Sequence, residues 1–167
     1  MTRDAADDAV DIYLVRHAPA EPRGEGIADA ERRLTERGRT RFAAAVRGLD
    51  ALGIRFDRVL SSPWVRAVET AELLGMLCDG KRVQTRRLAA RPSRALLEEI
   101  EGRSVALVGH SPWIGQLCAW LVTGQAGHGH GFRFKKGTVA HLRGRPEPGG
   151  CELRALWPPV VLRNVRR

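Results

Sequence analysis

The stretch Val10-Asp11-Ile12-Tyr13-Leu14-Val15-Arg16-His17 constrains this chain more than any other. A nearly unbroken apolar run ends in two adjacent cations. The run is too short to cross a membrane, and its β-branched content favours a strand. Apolar side chains on both faces suit a central parallel strand covered on both sides. Charge inside such a sheet is costly. Arg16 and His17 are therefore expected at the carboxyl end of the strand, the edge where open α/β sheets place their ligands.

Downstream, strand and helix patterns alternate. Residues 18–26 are loop by their proline and glycine content. Thr35 is placed to cap a helix whose buried stripe is Phe42, Ala45, Val46, Leu49 and Leu52, with Gly53 at its end. Phe56–Ser61 reads as a short strand. Ser62 then stands at an N-cap and Pro63 at the first helical position of a second helix. Trp64, Ala67, Val68, Ala71 and Leu74 give that helix its core face, and Gly75 or Gly80 ends it. Residues 82–85 read as a minor strand and 93–101 as a short helix closed by Gly102. Residues 104–108 form another fully apolar strand, which runs through Gly109-His110-Ser111-Pro112 into a helix carrying Trp113, Ile114, Leu117, Trp120 and Leu121 and stopped by Gly124. Residues 125–131 are expected to be loop. Residues 138–142 and 152–157 alternate in polarity around a Gly/Pro-rich turn, the pattern of an antiparallel hairpin at a sheet edge. Residues 1–9 and 158–167 are expected to be irregular tails.

This order predicts an α/β fold: a three-layer sandwich with a mostly parallel central sheet, helices on both faces and an antiparallel edge hairpin. The 167 residues suffice for one domain with a good core, and no linker divides the chain, so 1–167 is read as a single domain. The three cysteines, Cys78, Cys118 and Cys151, are far apart and odd in number, as reduced thiols would be in place of a disulfide framework or zinc site. No apolar run reaches membrane-spanning length, and the polar, acidic start lacks a signal-peptide pattern. A cytoplasmic protein with no membrane partner is expected. The net charge of +9 suits either simple solvation by arginine or an anionic ligand.

One small repetition points to chemistry. Ser62-Pro63-Trp64 and Ser111-Pro112-Trp113 occupy equivalent places, each just after a strand and before a helix. Such junctions present free backbone N–H groups and the positive end of a helix dipole. Arg66 lies in the first turn of one helix, and His110 directly precedes the other. Alone, each of these residues reads as a surface or capping group. Together, three strand ends deliver Arg16, His17, Arg66 and His110 to one sheet edge, a strong arrangement for a phosphoryl group. Ser62 and Arg23, in the loop after His17, complete the candidate substrate-binding set.

These blocks resemble the histidine phosphatase (phosphoglycerate mutase-like) superfamily. Leu14-Val15-Arg16-His17-Ala18 resembles its signature, Arg32-Arg33-Leu34-Thr35-Glu36-Arg37-Gly38 its next block, residues 61–71 its second arginine motif and Val108-Gly109-His110-Ser111-Pro112 its second histidine motif. The small size and short loops are similar to the SixA-type phosphohistidine phosphatases. The resemblance implies that His17 is the nucleophile, taking the phosphoryl group as a phosphohistidine, and that Arg16, Arg66 and His110 bind the phosphoryl oxygens. A neutral imidazole is a competent nucleophile near physiological pH, and phosphoryl transfer needs mostly positioning and positive charge. No cofactor or metal is called for.

Two departures stand out. Ala18 follows His17 where much of the superfamily has glycine. Many members also carry a carboxylate proton donor in mid-chain, whereas residues 81–97 contain no carboxylate. An alkoxide leaving group benefits from a general acid; an imidazole, which takes a proton near pH 6.5, needs one less. Phosphohistidine on a protein is thus the favoured substrate, although Glu21, Glu25, Asp29 or Glu31 could swing in from the first loop. The alternatives are a small phosphorylated metabolite or polyphosphate as substrate, and a basic module that binds nucleic acid or an acidic protein. No nucleic-acid motif supports the last. His128 and His130, in a glycine-rich stretch, lack a clear third metal ligand, and His141 is read as structural. Lys81, Arg82, Arg86, Arg87, Arg91 and Arg94 form a basic run, either a solvated face or a collar for an acidic partner.

Overall fold

In the computed structural model, which describes residues 9–166, six strands form one sheet. They are β1 (Val10–Arg16), β2 (Phe56–Ser61), β3 (Cys78–Gln84), β4 (Ser104–Gly109), β5 (Val139–Gly144) and β6 (Cys151–Trp157), and their order across the sheet is β3-β2-β4-β1-β5-β6. The first four are mutually parallel, and β5 and β6 add an antiparallel hairpin at one edge. Strand β1 is therefore interior, with β4 parallel on one side and β5 antiparallel on the other.

Among the described residues, five α-helices cover the sheet: α1 (Glu36–Ala51), α2 (Val65–Leu74), α3 (Arg94–Leu97), α4 (Trp113–Thr123) and α5 (Pro159–Asn164). The alternation of side chains along a strand sorts them into two layers. Tyr13, Val15, Val59, Ala106 and Val108 pack with α1, α2 and α5. Ile12, Leu14, Leu60, Val105 and Leu107 pack with α3 and α4. Each fully buried Leu or Ile contributes about 1.5–3 kcal/mol over exposure. Short helices such as α3 and α5 have little stability of their own, so this packing holds them.

Register fixes the functional edge. Arg16 is level with Gly109 across β1 and β4, and Ser61 with Val108 across β2 and β4. The ladder runs one step further, because His17 N donates to Gly109 O and Ser62 N donates to Val108 O. His17, Ser62 and His110 thus leave the sheet side by side.

Several expectations are corrected. Leu52 is 45% exposed, since α1 ends at Ala51 and the chain turns so that Ile54 enters the core instead. Ser62 is not the N-cap of α2. That place is taken by Trp64, whose N–H donates to Ser62 Oγ, and the helix begins at Val65. The minor strand is longer, beginning at Cys78, and the helix expected over 93–101 spans only Arg94–Leu97, capped by Ser93. Residues 126–131 form a 3-10 helix packed on α4. Glycine allows this approach, since a Cβ on Gly129 would press on the backbone of Gln116. The carboxyl-terminal tail is not irregular throughout: Pro159 opens α5, and Leu162 is fully buried. The expectation for residues 1–8 lies outside the described residues. Among the described residues, no helix is long and apolar enough to cross a membrane.

Candidate active site

Arg16, His17, Arg66 and His110 all line one cavity of about 480 Å³ at the carboxyl edge of the sheet. His17 is buried. Its Nδ1 lies 2.7 Å from the carbonyl oxygen of the adjacent Ala18, an acceptor only, so Nδ1 carries the proton. Its Nε2 lies 3.2 Å from Arg66 Nε, a donor only, so Nε2 presents its lone pair. Two independent contacts therefore select one tautomer. Burial, followed by the nearby His110, Arg66 and Arg16, pushes the His17 pKa down to about 3 against the opposing Ala18 hydrogen bond. The ring is neutral at physiological pH.

The turn after His17 is tied to α2. Ala18 N donates to Thr70 Oγ1, and that hydroxyl donates to Arg66 O one helical turn back. Ala18 is fully buried there, with both backbone polar groups in use. A few residues on, the buried carboxylate of Glu69 accepts from Leu34 N and pairs with Arg39 at 2.9 Å. The block around Leu34 and Thr35 is thereby fastened to the same helix.

His110 lies across the cavity, its ring centroid 5.2 Å from that of His17. Its Nε2 is 2.8 Å from Ser62 Oγ. Burial, then Arg66, pushes its pKa down to about 4, so this imidazole is also neutral. Arg16 anchors one arm on Phe134 O at 2.7 Å. Among the described residues, Arg16 Nε and His110 Nδ1 are buried without a hydrogen-bond partner. Buried polar atoms normally find partners. Both belong to residues that line one cationic cavity, although the two atoms themselves are covered by protein.

Arg66 is the hub. Beyond His17, its Nη1 donates to Asp29 O at 2.5 Å and its Nη2 to Asp29 Oδ2 at 3.2 Å. Its guanidinium also lies 4.6 Å from the centroid of the Trp64 ring. Asp29 Oδ1 accepts from Arg32 at 2.8 Å and from Arg23 at 3.2 Å. Burial raises the Asp29 pKa somewhat, but the Arg32 hydrogen bond and the Arg66 charge outweigh it and hold the carboxyl below its ordinary value. Among the described residues it is the only carboxylate lining the cavity, and it is ionised.

Two sequence expectations change here. Ser62 is fully buried and stands behind His110, so it meets the histidine and not the cavity. Trp64 faces the cavity instead of the core, with Trp113 lining it too, 6.2 Å away and edge to face. Their place directly after the two Ser-Pro pairs was the signal for this. Arg23 lines the rim, mostly exposed and paired with Asp29. Lys136, missed in the sequence, completes the cationic wall. The basic run 81–94 does not line the cavity, and neither do His128 and His130.

Residues 12–91 match the family model described as histidine phosphatase superfamily (branch 1). The chain is 35% identical over 142 residues to an uncharacterized protein of Picosynechococcus, covering 80% of this chain and 85% of that one. The fold is similar to that of the protein histidine phosphatase SixA in complex with tungstate, with a TM-score of 0.73 and 23% identity, covering 90% of this chain and 98% of that one. It is also similar to a mycobacterial glucosyl-3-phosphoglycerate phosphatase, with a TM-score of 0.69 and 18% identity, covering 88% and 98% of the two chains. At these identities the two structural likenesses are likenesses of fold.

Proposed function

The chain is a phosphatase of the histidine phosphatase superfamily, and from that premise we propose that it forms a covalent intermediate on His17 and acts on phosphohistidine carried by a protein. The observation that carries the mechanism is the pair of contacts on His17. With Nδ1–H held by Ala18 O and the lone pair on Nε2, the ring attacks phosphorus without first losing a proton. The bond from phosphorus to the substrate nitrogen breaks as the Nε2–P bond forms. The departing imidazole leaves neutral once its other nitrogen has taken a proton from solvent. Water then attacks phosphorus, and His17 leaves as neutral imidazole because its Nδ1 still carries hydrogen. Arg16 and Arg66 counter the charge on the phosphoryl oxygens. His110 faces His17 across the cavity, its ring held by the Ser62 hydroxyl.

Two features support an imidazole leaving group. Asp29 is ionised and committed to three guanidiniums, so it is a poor proton donor for an alkoxide. The indoles of Trp64 and Trp113 offer flat apolar walls on which an imidazole ring stacks. The second reading, a small phosphorylated metabolite, is favoured by the cavity volume and by Arg23, Arg32 and Lys136 around it.

The test compares kcat/KM for a histidine-phosphorylated protein with that for glycerol phosphate and other alkyl phosphates. Preference for the phosphoprotein supports the proposal, and faster turnover of the alkyl esters defeats it. In Trp113→Leu the kcat/KM ratio of phosphoimidazole to phosphoramidate, which share a P–N bond but not a ring, should fall about tenfold. An unchanged ratio removes the stacking argument.

A further inference from the structure

Beside the catalytic cavity lies a second depression of about 320 Å³ whose residues the phosphoryl chemistry does not use. Its floor is apolar, formed by Pro19, Phe42, Pro159 and Val160. Val160 is 52% exposed and its neighbour Val161 46%, so α5 shows solvent an apolar shoulder. The walls are cationic: Arg41 from α1, Arg163 from α5, and Lys135 and Lys136 from the segment before β5. Lys136 lines this groove and the catalytic cavity alike, so the two are contiguous.

The charge here is unbalanced. Among the described residues, no carboxylate lines the groove. Among the described residues, none of its four cations makes an ion pair, whereas Arg55, Arg58, Arg143 and Arg154 elsewhere on the surface each have one. Four like charges around an apolar floor repel one another, and an acidic occupant relieves that. An inorganic polyanion would satisfy the walls and leave the floor wet. A segment with carboxylates flanking apolar side chains satisfies both.

We propose that this groove docks an acidic, apolar polypeptide segment of the phosphoprotein substrate and so sets which phosphohistidine reaches His17. The inference rests on the protein-phosphohistidine reading above. Docking in the groove adds affinity beyond the phosphoryl contacts, and its charge favours acidic partners over basic ones.

Three synthetic peptides test it, each with one histidine phosphorylated by phosphoramidate, followed by a short spacer and then alternating Glu and Leu, Glu and Ser, or Lys and Leu. The Glu/Leu peptide should have a kcat/KM about tenfold above the Lys/Leu peptide, with Glu/Ser between them. The double variant Arg41→Glu/Arg163→Glu should lose about tenfold more on the Glu/Leu peptide than on free phosphohistidine. Equal kcat/KM for all three peptides, or equal loss on peptide and free phosphohistidine, overturns the groove. Fluorescence anisotropy of the unphosphorylated Glu/Leu peptide decides the matter separately. Binding weakened about tenfold in the double variant, and likewise in Val160→Glu, supports docking. Absence of binding overturns it. If neither phosphopeptide nor free phosphohistidine is turned over, the substrate reading has failed, and the anisotropy result still stands for or against the groove.

Discussion

Arg66 Nε donates to His17 Nε2 across 3.2 Å, so a guanidinium occupies the lone pair that an arriving phosphorus must meet. If His17 is the nucleophile proposed above, this contact caps it at rest. On that mechanism an incoming phosphoryl group would have to draw the guanidinium onto its own oxygens to free the nitrogen. Asp29 and Trp64 hold the Arg66 guanidinium beside His17.

Arg66→Ala should therefore lower kcat/KM by about 10²–10³-fold, the usual cost of removing one preorganised donor from a developing oxyanion. Arg66→Lys should recover little, because one ammonium cannot replace a planar fork that bonds His17 and Asp29 together. The His17 pKa, followed by NMR titration, should rise in Arg66→Ala as a nearby positive charge is lost. Wild-type turnover in either variant would remove Arg66 from the chemistry.

The two buried imidazoles make the fold acid-sensitive. An unfolded histidine titrates near 6.5, whereas His17 and His110 are pushed down to about 3 and about 4. Above pH 6.5 neither state binds the proton, and there is no cost. As pH falls below that value the unfolded chain takes up protons that the folded chain refuses, and stability falls by about 1.4 kcal/mol per pH unit for each imidazole. Urea denaturation between pH 6.5 and 5 should show this decline, shallower in His17→Asn. The kcat/KM profile should show no enzyme group titrating near 6.5. A histidine-like acid limb there would mean that the nucleophile is not held neutral.

Helix α1 passes α5 so closely at Gly48 that an added Cβ would overlap the Leu162 carbonyl oxygen. A helical Gly→Ala change normally stabilises by about 1 kcal/mol, but overpacking costs about 1–3 kcal/mol. Because the obstruction is backbone, the cost should win. Gly48→Ala is expected to lower Tm by a few degrees in calorimetry, at about 2–4 °C per kcal/mol. A raised Tm would show that α5 shifts aside without loss.

The strand ends were legible because each is a local event: an apolar run stops, and charge or Ser-Pro follows. That pattern alone brings Arg16, His17, Arg66 and His110 to one sheet edge. Trp64 is harder to read, because an indole at helical spacing looks like core; its place directly after Ser-Pro is the one local sign that it faces the cavity. Helix α5 was missed because its six residues are held by the burial of Leu162, a long-range contact with no local sign beyond Pro158-Pro159. Asp29 could be named as one of four loop carboxylates. Its role as the anchor of Arg66 needed the fold of residues 18–35 back onto α2.

The most direct measurement is to trap the phosphoryl group. The protein is mixed with phosphorus-radiolabelled phosphoramidate, quenched in alkali within seconds and digested for mass spectrometry. Covalent catalysis requires a base-stable, acid-labile label on the peptide containing His17 and no such label in His17→Ala. The same label in His17→Ala, or undiminished hydrolysis by that variant, would contradict it.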